Sequence, residues 1–311
     1  MDEQAWVVGI DVSKGRLDVA AAGTVFQVAN DAAGWKTLVD QLSKQPVRAI
    51  GLEPSGGYER DLVKVLRRAG LPVRVLNSYR VRQYARALGR LAKNDRIDAL
   101  MIARYVDELP TREPRCDLVA EQMAELIVAR RQLTDDKVRL GNQLEQVRDP
   151  ALKRLFTQRL RRIVAEVLVV TKRLAQIVAE HPDLAAKDRL IQSFPGAGPT
   201  YSHTLLGLAP EINDANRREM SALIGVAPFD DDSGKRAGKR RIRGGRAEVR
   251  HVAYMAALAA ARCNPIMKAY KDRLIASGVA PKAAIIAVAR RMLGIIIAML
   301  RSGQPYQQPA A

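Results

Sequence analysis

From about Leu118 onward the chain holds a helical periodicity so long that few folds remain open to it. Leu126, Leu133, Leu140 and Val147 recur every seven residues, until Asp149-Pro150 breaks the pattern. Proline lacks the amide donor and disfavours a helical residue before it, so the chain is expected to turn back there. Beyond the break, Phe156, Leu160, Ile163, Val167, Val170, Leu174 and Ile177 alternate spacings of four and three, the rhythm of a coiled-coil seam. An antiparallel helical hairpin or a dimerising coiled coil is expected over residues 113–182, closed by His181-Pro182. Arg130 and Lys137 fall where the first arm's seam would otherwise be apolar, which makes that arm the less regular one.

The residues ahead of the hairpin have a different grammar. Trp6 to Asp11, Leu17 to Ala22 and Thr24 to Ala29 are short apolar runs broken at Gly15 and Gly23, which reads as a three-strand meander. Asn30 and Asp31 can cap a helix carrying Trp35, Leu38, Val39 and Leu42, with Pro46 at its exit. Val47 to Leu52 then reads as a strand, Tyr58 to Ala69 as a helix and Pro72 to Leu76 as a strand, an alternating α/β order. Three strands, a helix, then alternating strands and helices is the order of the ribonuclease H-like fold, expected over residues 1–112. Residues 183–303 read as a mostly helical unit, with Leu293 to Leu300 its one dense apolar run, and the Pro/Gln/Ala-rich residues 304–311 read as unstructured. The fold class is therefore α/β plus all-α.

Two strand-end acids stand out. Asp11 closes the first strand in Gly9-Ile10-Asp11-Val12-Ser13-Lys14, and Glu53 closes the fourth in Gly51-Leu52-Glu53-Pro54-Ser55-Gly56-Gly57. An acid beside a core strand needs a partner. Asp95 and Asp98, in Lys93-Asn94-Asp95-Arg96-Ile97-Asp98-Ala99, are three apart at a helix start and so share one helical face. Taken alone that pair could simply answer the helix dipole. Four carboxylates brought together repel unless divalent cations sit between them, and hard oxygen donors suit Mg²⁺ or Mn²⁺. Asp18 lies within the second strand rather than at a strand end and is left outside this set.

The charge points to a polyanion. Lys and Arg number 51 against 33 acids, a formal net charge of +18, which favours nucleic acid. A basic membrane binder would need aromatic anchors, and aromatics are only 5% of the chain, so no membrane partner is expected. The N-terminal residues carry no export signal, and Cys116 and Cys263 form no paired motif, which fits a reducing cytoplasm. His181, His203 and His251 are scattered and suggest no metal.

Much of the excess charge sits in one stretch. Ser233 stands between Asp230–Asp232 and eight basic residues, Lys235, Arg236, Lys239, Arg240, Arg241, Arg243, Arg246 and Arg250, interleaved with glycines. Such a loop can follow a phosphate backbone, and flanking arginines can hold a scissile phosphate beside the serine hydroxyl. An unactivated serine is a weak nucleophile, and Ser-Gly alone is only a turn. Pro195-Gly196-Ala197-Gly198-Pro199 reads either as a plain tight turn or as the turn of a helix-hairpin-helix element, where amides at a helix N-terminus meet phosphate.

Together these motifs, in this order along nearly the whole chain, resemble the DEDD transposases of the insertion-sequence one-ten and eleven-eleven classes and the related Piv/MooV DNA invertases. The resemblance implies a RuvC-like domain in which Asp11, Glu53, Asp95 and Asp98 bind metal, a coiled coil used in assembly, and Ser233 as nucleophile of a C-terminal transposase domain. It further implies a covalent phosphoserine link to DNA and a composite site with the serine delivered to another protomer's carboxylates. A dimer or tetramer, guidance by a structured bridge RNA, and work on the DNA of a prokaryotic cytoplasm or nucleoid go with it. Two other readings stay open on the residues alone. One is a hydrolytic junction nuclease using the same acids and water; the other is a non-enzymatic protein that bridges nucleic acids.

Overall fold

The computed structural model describes residues 5–89, 95–109, 117–230 and 240–308. They divide between two compact units, Met1–Cys116 and Asp117–Ala311.

The first unit is built on a five-stranded sheet. Strands β1 (Trp6–Val12), β2 (Arg16–Ala21) and β3 (Thr24–Ala29) form the expected antiparallel meander. Helix α1 (Ala32–Leu42) follows, its N-terminus capped by the Asp31 carboxylate, which accepts from the Gly34 amide. Then come β4 (Val47–Leu52), α2 (Arg60–Arg68), β5 (Val73–Val75), α3 (Ser78–Ala87) and α4 (Asp95–Glu108). The strand order is β3-β2-β1-β4-β5, with β4 parallel to β1 and β5 parallel to β4.

Alternation along the strands separates two faces. Val8, Ile10 and Val12 of β1 join Leu38 and Leu42 of α1 and Leu62 and Leu66 of α2 in one buried cluster. On the other face Val7 and Ala49 pack with Ile102, Tyr105 and Val106 of α4. Gly9 and Gly51 are register partners on that second face. A Cβ on Gly9 would lie 2.1 Å from the Ala99 carbonyl oxygen, and one on Gly51 would lie 2.4 Å from a Val106 methyl. Side chains are absent here because α4 rests directly on the strand backbones.

The second unit opens with two long helices, α5 (Leu118–Gln146) and α6 (Pro150–Glu180), packed on each other. Asp149 caps α6, and Pro150 takes the first helical position, where its missing amide hydrogen is no loss. The seam expected on α6 is seen: Phe156 through Ile177 at the seven positions are all buried or half-buried. On α5 the four heptad positions, Leu126, Leu133, Leu140 and Val147, are likewise buried or half-buried, and Met123, Ile127 and Arg130 are buried as well because this arm also packs against α8 (Pro199–Leu208).

The remaining elements are α7 (Pro182–Gln192), a 3-10 turn at Pro210–Asn213, α9 (Arg217–Leu223), strands β6 (Pro228–Phe229) and β7 (Arg241–Ile242), α10 (Ala247–Cys263), α11 (Pro265–Ala276) and α12 (Pro281–Ser302). The apolar run at the end of the chain is longer than the sequence suggested. All of α12 is apolar enough, by length and composition, to cross a membrane. Its Val288, Leu293 and Ile296 are fully buried, and the helix packs against α7, α9, α10 and α11 as the core of this unit. Each such side chain contributes about 1.5–3 kcal/mol by leaving water. Residues 304–308 also depart from the expectation of an unstructured tail. Tyr306 packs edge-on to Phe194 at 4.7 Å between ring centres, and its amide donates to Ser193 Oγ at 2.9 Å. One aromatic finding a core partner fixes a stretch whose composition is otherwise that of a linker.

Candidate active site

The carboxylates of the first unit gather at the C-terminal ends of β1 and β4. Register pairs Ile10 with Leu52; Asp11 is the next residue of β1, and Glu53 is the first residue after the end of β4, not its last as the sequence suggested. They continue the face begun by Gly9 and Gly51, the face that α4 covers. Glu53 and Asp98 line one cleft of about 320 Å³, together with Ser78 and Arg82 of α3. Both acids and Asp11 are half-buried and hold polar or ionic contacts. Asp95 is the first residue of α4, and its side chain lies outside the described residues. Among the described residues no three His, Cys, Asp or Glu side chains stand close enough together to cage an ion. Two of the four expected acids therefore share a cleft, a third follows the last β1–β4 register pair as Glu53 does, and the fourth is one helical turn before Asp98.

Three further groups hold this edge in place. Glu59 is buried and turns its carboxylate back onto the loop that follows Glu53, accepting from the Ser55 amide at 2.9 Å and the Gly57 amide at 3.0 Å. Gly56 and Gly57 adopt φ of +71° and +105°, a region that favours glycine. Asn30 donates to the carbonyl of Ser13 at 2.7 Å and that of Tyr58 at 3.3 Å, tying the end of β1 to the start of α2. Asp18, set aside on sequence grounds, is the cross-strand partner of Asp11. It is only 2% exposed and accepts from Gln27 Nε2 at 2.6 Å and Arg16 Nε at 3.1 Å. An antiparallel pair projects to the same face, so a neutralised carboxylate stands beside Asp11.

Of these, Arg82 and Asp18 were missed by sequence reasoning. Arg82 has no local motif, and Asp18 could be placed beside Asp11 only once the β1–β2 register was known. Glu59 could have been found: an acid following a Gly-Gly turn can satisfy its free amides.

Ser233, Lys235, Arg236 and Lys239 lie outside the described residues, but the ends of their segment are described. Strands β6 and β7 pair antiparallel, Pro228 with Ile242 and Phe229 with Arg241. Arg240 pairs with Asp230 at 2.5 Å across the exposed base of this ribbon. The other arginines divide by role. Arg241 and Arg243 sit on or beside β7, whereas Arg246 is committed to Glu211 by two contacts of 2.6 Å. Arg250 donates to the Gly244 carbonyl at 2.5 Å and so braces the turn after β7.

Comparison with known proteins places this arrangement. Residues 8–157 match a transposase model of the DEDD, IS110 type, and residues 188–272 match the transposase model of the IS116/IS110/IS902 family. The chain belongs to the IS110/IS116 family of transposases. It is 23% identical to the pilin gene-inverting protein of Moraxella bovis, over 97% of both chains. It is also 24% identical to the pilin gene-inverting protein of Moraxella lacunata, over 83% of this chain and 81% of the relative. An IS110 protein of 43.6 kDa from Streptomyces coelicolor is 27% identical over 38% of this chain and 30% of its own length. As an IS110/IS116 transposase the protein is a DNA recombination enzyme, and the family works with a divalent metal. The first family model spans the sheet-end acids and the first arm of the helical hairpin, ending early in α6, while the second spans the ribbon that brackets Ser233.

Proposed function

We propose that this transposase cuts and rejoins DNA through a covalent serine intermediate. In this reading Asp11, Glu53, Asp95 and Asp98 hold divalent cations, Mg²⁺ or Mn²⁺, in a RuvC-like domain of ribonuclease H fold, and Ser233 is the nucleophile. The observation that carries it is the pair of adjacent parallel strand ends, where Asp11 and Glu53 directly follow the Ile10–Leu52 register pair and Glu53 shares its cleft with Asp98. The strand order β3-β2-β1-β4-β5, with β2 alone antiparallel to both its neighbours, supports the fold assignment.

The donor set is entirely carboxylate oxygen, which suits a hard cation. Such an ion, when bound, supplies charge neutralisation and Lewis acidity at a phosphate. The chain's own residues do the rest. Glu59 fixes the loop after Glu53, Arg82 offers a guanidinium in the cleft, and the arginines about β7 hold DNA phosphates beside the serine. The Ser233 oxygen attacks the scissile phosphorus as its proton leaves; a bond from phosphorus to a deoxyribose oxygen breaks, and that oxygen takes up a proton. A DNA hydroxyl then attacks the phosphoserine, releases the serine and joins new ends, so no external energy source is needed.

A composite site between protomers of a dimer or tetramer, a structured bridge RNA that selects the DNA partners, and a cytoplasmic place of work belong to the same proposal. The net charge of +18 supports a nucleic-acid assembly of this kind. The names of the two Moraxella relatives support recombination between DNA segments as the outcome.

The test is to incubate the protein, its co-purifying RNA and Mg²⁺ with DNA carrying element ends, and look for a protein–DNA adduct on a denaturing gel. An adduct lost in Ser233→Ala and in chelator is expected. Cleavage without an adduct, surviving Ser233→Ala but lost in Asp11→Ala, would make the enzyme a hydrolytic nuclease.

A further inference from the structure

Among the described residues Asp18 is the most deeply buried acid, and the chemistry proposed for the sheet edge does not use it. It stands directly opposite Asp11 in the β1–β2 ladder, where two like charges are destabilising. A role confined to packing would be met better by a neutral side chain. Two neighbours answer its charge. From β3, its register partner Gln27 donates to Oδ1 at 2.6 Å, and from two residues earlier on β2, Arg16 donates through Nε to Oδ2 at 3.1 Å. Strand alternation puts Asp11, Asp18, Gln27 and Arg16 on one face of the meander.

Arg16 is the informative member of this group. Ser13 closes the hairpin onto it, its amide donating to the Arg16 carbonyl at 2.9 Å and its hydroxyl to the same oxygen at 2.8 Å, so the Arg16 backbone is fixed beside the C-terminal end of β1. In an antiparallel pair, the residue two before a cross-strand partner is the diagonal neighbour, about 7–8 Å away and within reach of a long side chain. Arg16 stands in that relation to Asp11. Its half-exposed side chain can therefore turn to either of two carboxylates, Asp18 on its own strand or Asp11 on the next, and its Nε goes to Asp18. A guanidinium on Asp11 would bring to that carboxylate the positive charge that a divalent cation otherwise supplies.

We infer that Asp18 is a positioning residue for the carboxylate site: it holds the Arg16 guanidinium off Asp11 and so leaves that carboxylate to the cation. Gln27, on the far side of Asp18, fixes the carboxylate in the orientation that receives Arg16. Partners one layer behind a metal-binding side chain commonly set metal affinity by about 10- to 100-fold, which makes the role measurable without DNA. The inference rests on the reading of Asp11 as a metal-binding acid but not on the serine chemistry.

The test is the binding of Mn²⁺ alone to the full-length protein, followed by the electron paramagnetic resonance signal of the free ion, with Tm recorded for each variant. Asp18→Asn keeps the size of the side chain and can still accept from Gln27, but releases Arg16; its Mn²⁺ dissociation constant should rise about tenfold. Arg16→Gln removes the competitor and should bind Mn²⁺ at least as tightly as wild type. Combining Arg16→Gln with Asp18→Asn should recover most of the affinity lost in Asp18→Asn, a rescue that a packing defect at position 18 would not show. An unchanged constant in Asp18→Asn would overturn the inference, as would a double variant that binds as weakly as Asp18→Asn. Should Asp18→Asn not fold, Arg16→Gln decides: binding about tenfold weaker than wild type would show that Arg16 supports the site rather than competing for it, and would overturn the inference. Asp11→Asn separates the two levels. If it leaves Mn²⁺ binding unchanged, the metal reading of Asp11 fails and the inference with it; if it weakens binding while Asp18→Asn does not, the inference alone fails.

Discussion

The acids of the first unit and the serine segment of the second are both short polar stretches, yet the fold positions them by opposite means. Asp11 and Glu53 inherit their places from buried strands, where register and alternation leave no freedom of direction. The segment around Ser233 hangs from a ribbon of two residues a side, braced by an exposed Arg240–Asp230 pair and by the Arg250 contact to Gly244. Chemistry that needs several charged groups held against their mutual repulsion is built on the rigid part. In the proposed reading the nucleophile comes instead from the segment between β6 and β7.

Substitutions should separate the two regions. The largest effect is expected at the sheet edge: Asp11→Asn or Glu53→Gln should lower strand cleavage on the order of a thousandfold at unchanged Tm, consistent with lost phosphate activation. Cleavage within tenfold of wild type would remove the acids from the chemistry. Next comes the packing that places them. Gly9→Ala should destabilise the first unit by about 2–3 kcal/mol, seen as a lower denaturant midpoint, because its methyl meets the α4 backbone. An unaltered midpoint would mean that α4 does not rest on β1 as described.

Glu59→Gln sharpens the contrast. It keeps the side chain's length but gives up the charge that receives two loop amides, and should cost about tenfold in cleavage with little change in DNA affinity. A selective loss of affinity instead would place Glu59 at the DNA. On the ribbon side, replacing Arg240, Arg241 and Arg243 with alanine should flatten the salt dependence of DNA binding by about two to three in slope. Arg246→Ala should behave differently: its guanidinium is spent on Glu211, so a small loss of stability, about 1 kcal/mol, is expected with the slope nearly unchanged. Equal slopes in the triple variant and wild type would take the ribbon out of DNA binding.

How far the sequence could be read follows from the same contrast. The strands of the meander, β4, the cap at Asp31, the break at Asp149-Pro150 and the seam of α6 were legible because each is set by local periodicity or by one or two neighbouring residues. The burial of Arg130 on α5 was not, since it comes from α8, which is distant in sequence. The pairing of Asp18 with Asp11 depended on a register that no single strand encodes. The tail was misread because Tyr306 is tied down by Phe194 and Ser193, more than a hundred residues away. Among the site residues, strand-end acids announce themselves by interrupting apolar runs, whereas the structural duty of Arg246 is invisible in a run of similar arginines.

The most direct measurement is to isolate the protein–DNA adduct, digest both components and locate the residual nucleotide by mass spectrometry. A deoxynucleotide esterified to Ser233, formed only with divalent metal and absent in Asp11→Asn, is the expected result. A nucleotide on any other residue, or cleaved DNA ending in free hydroxyl and phosphate with no adduct, would contradict the serine mechanism.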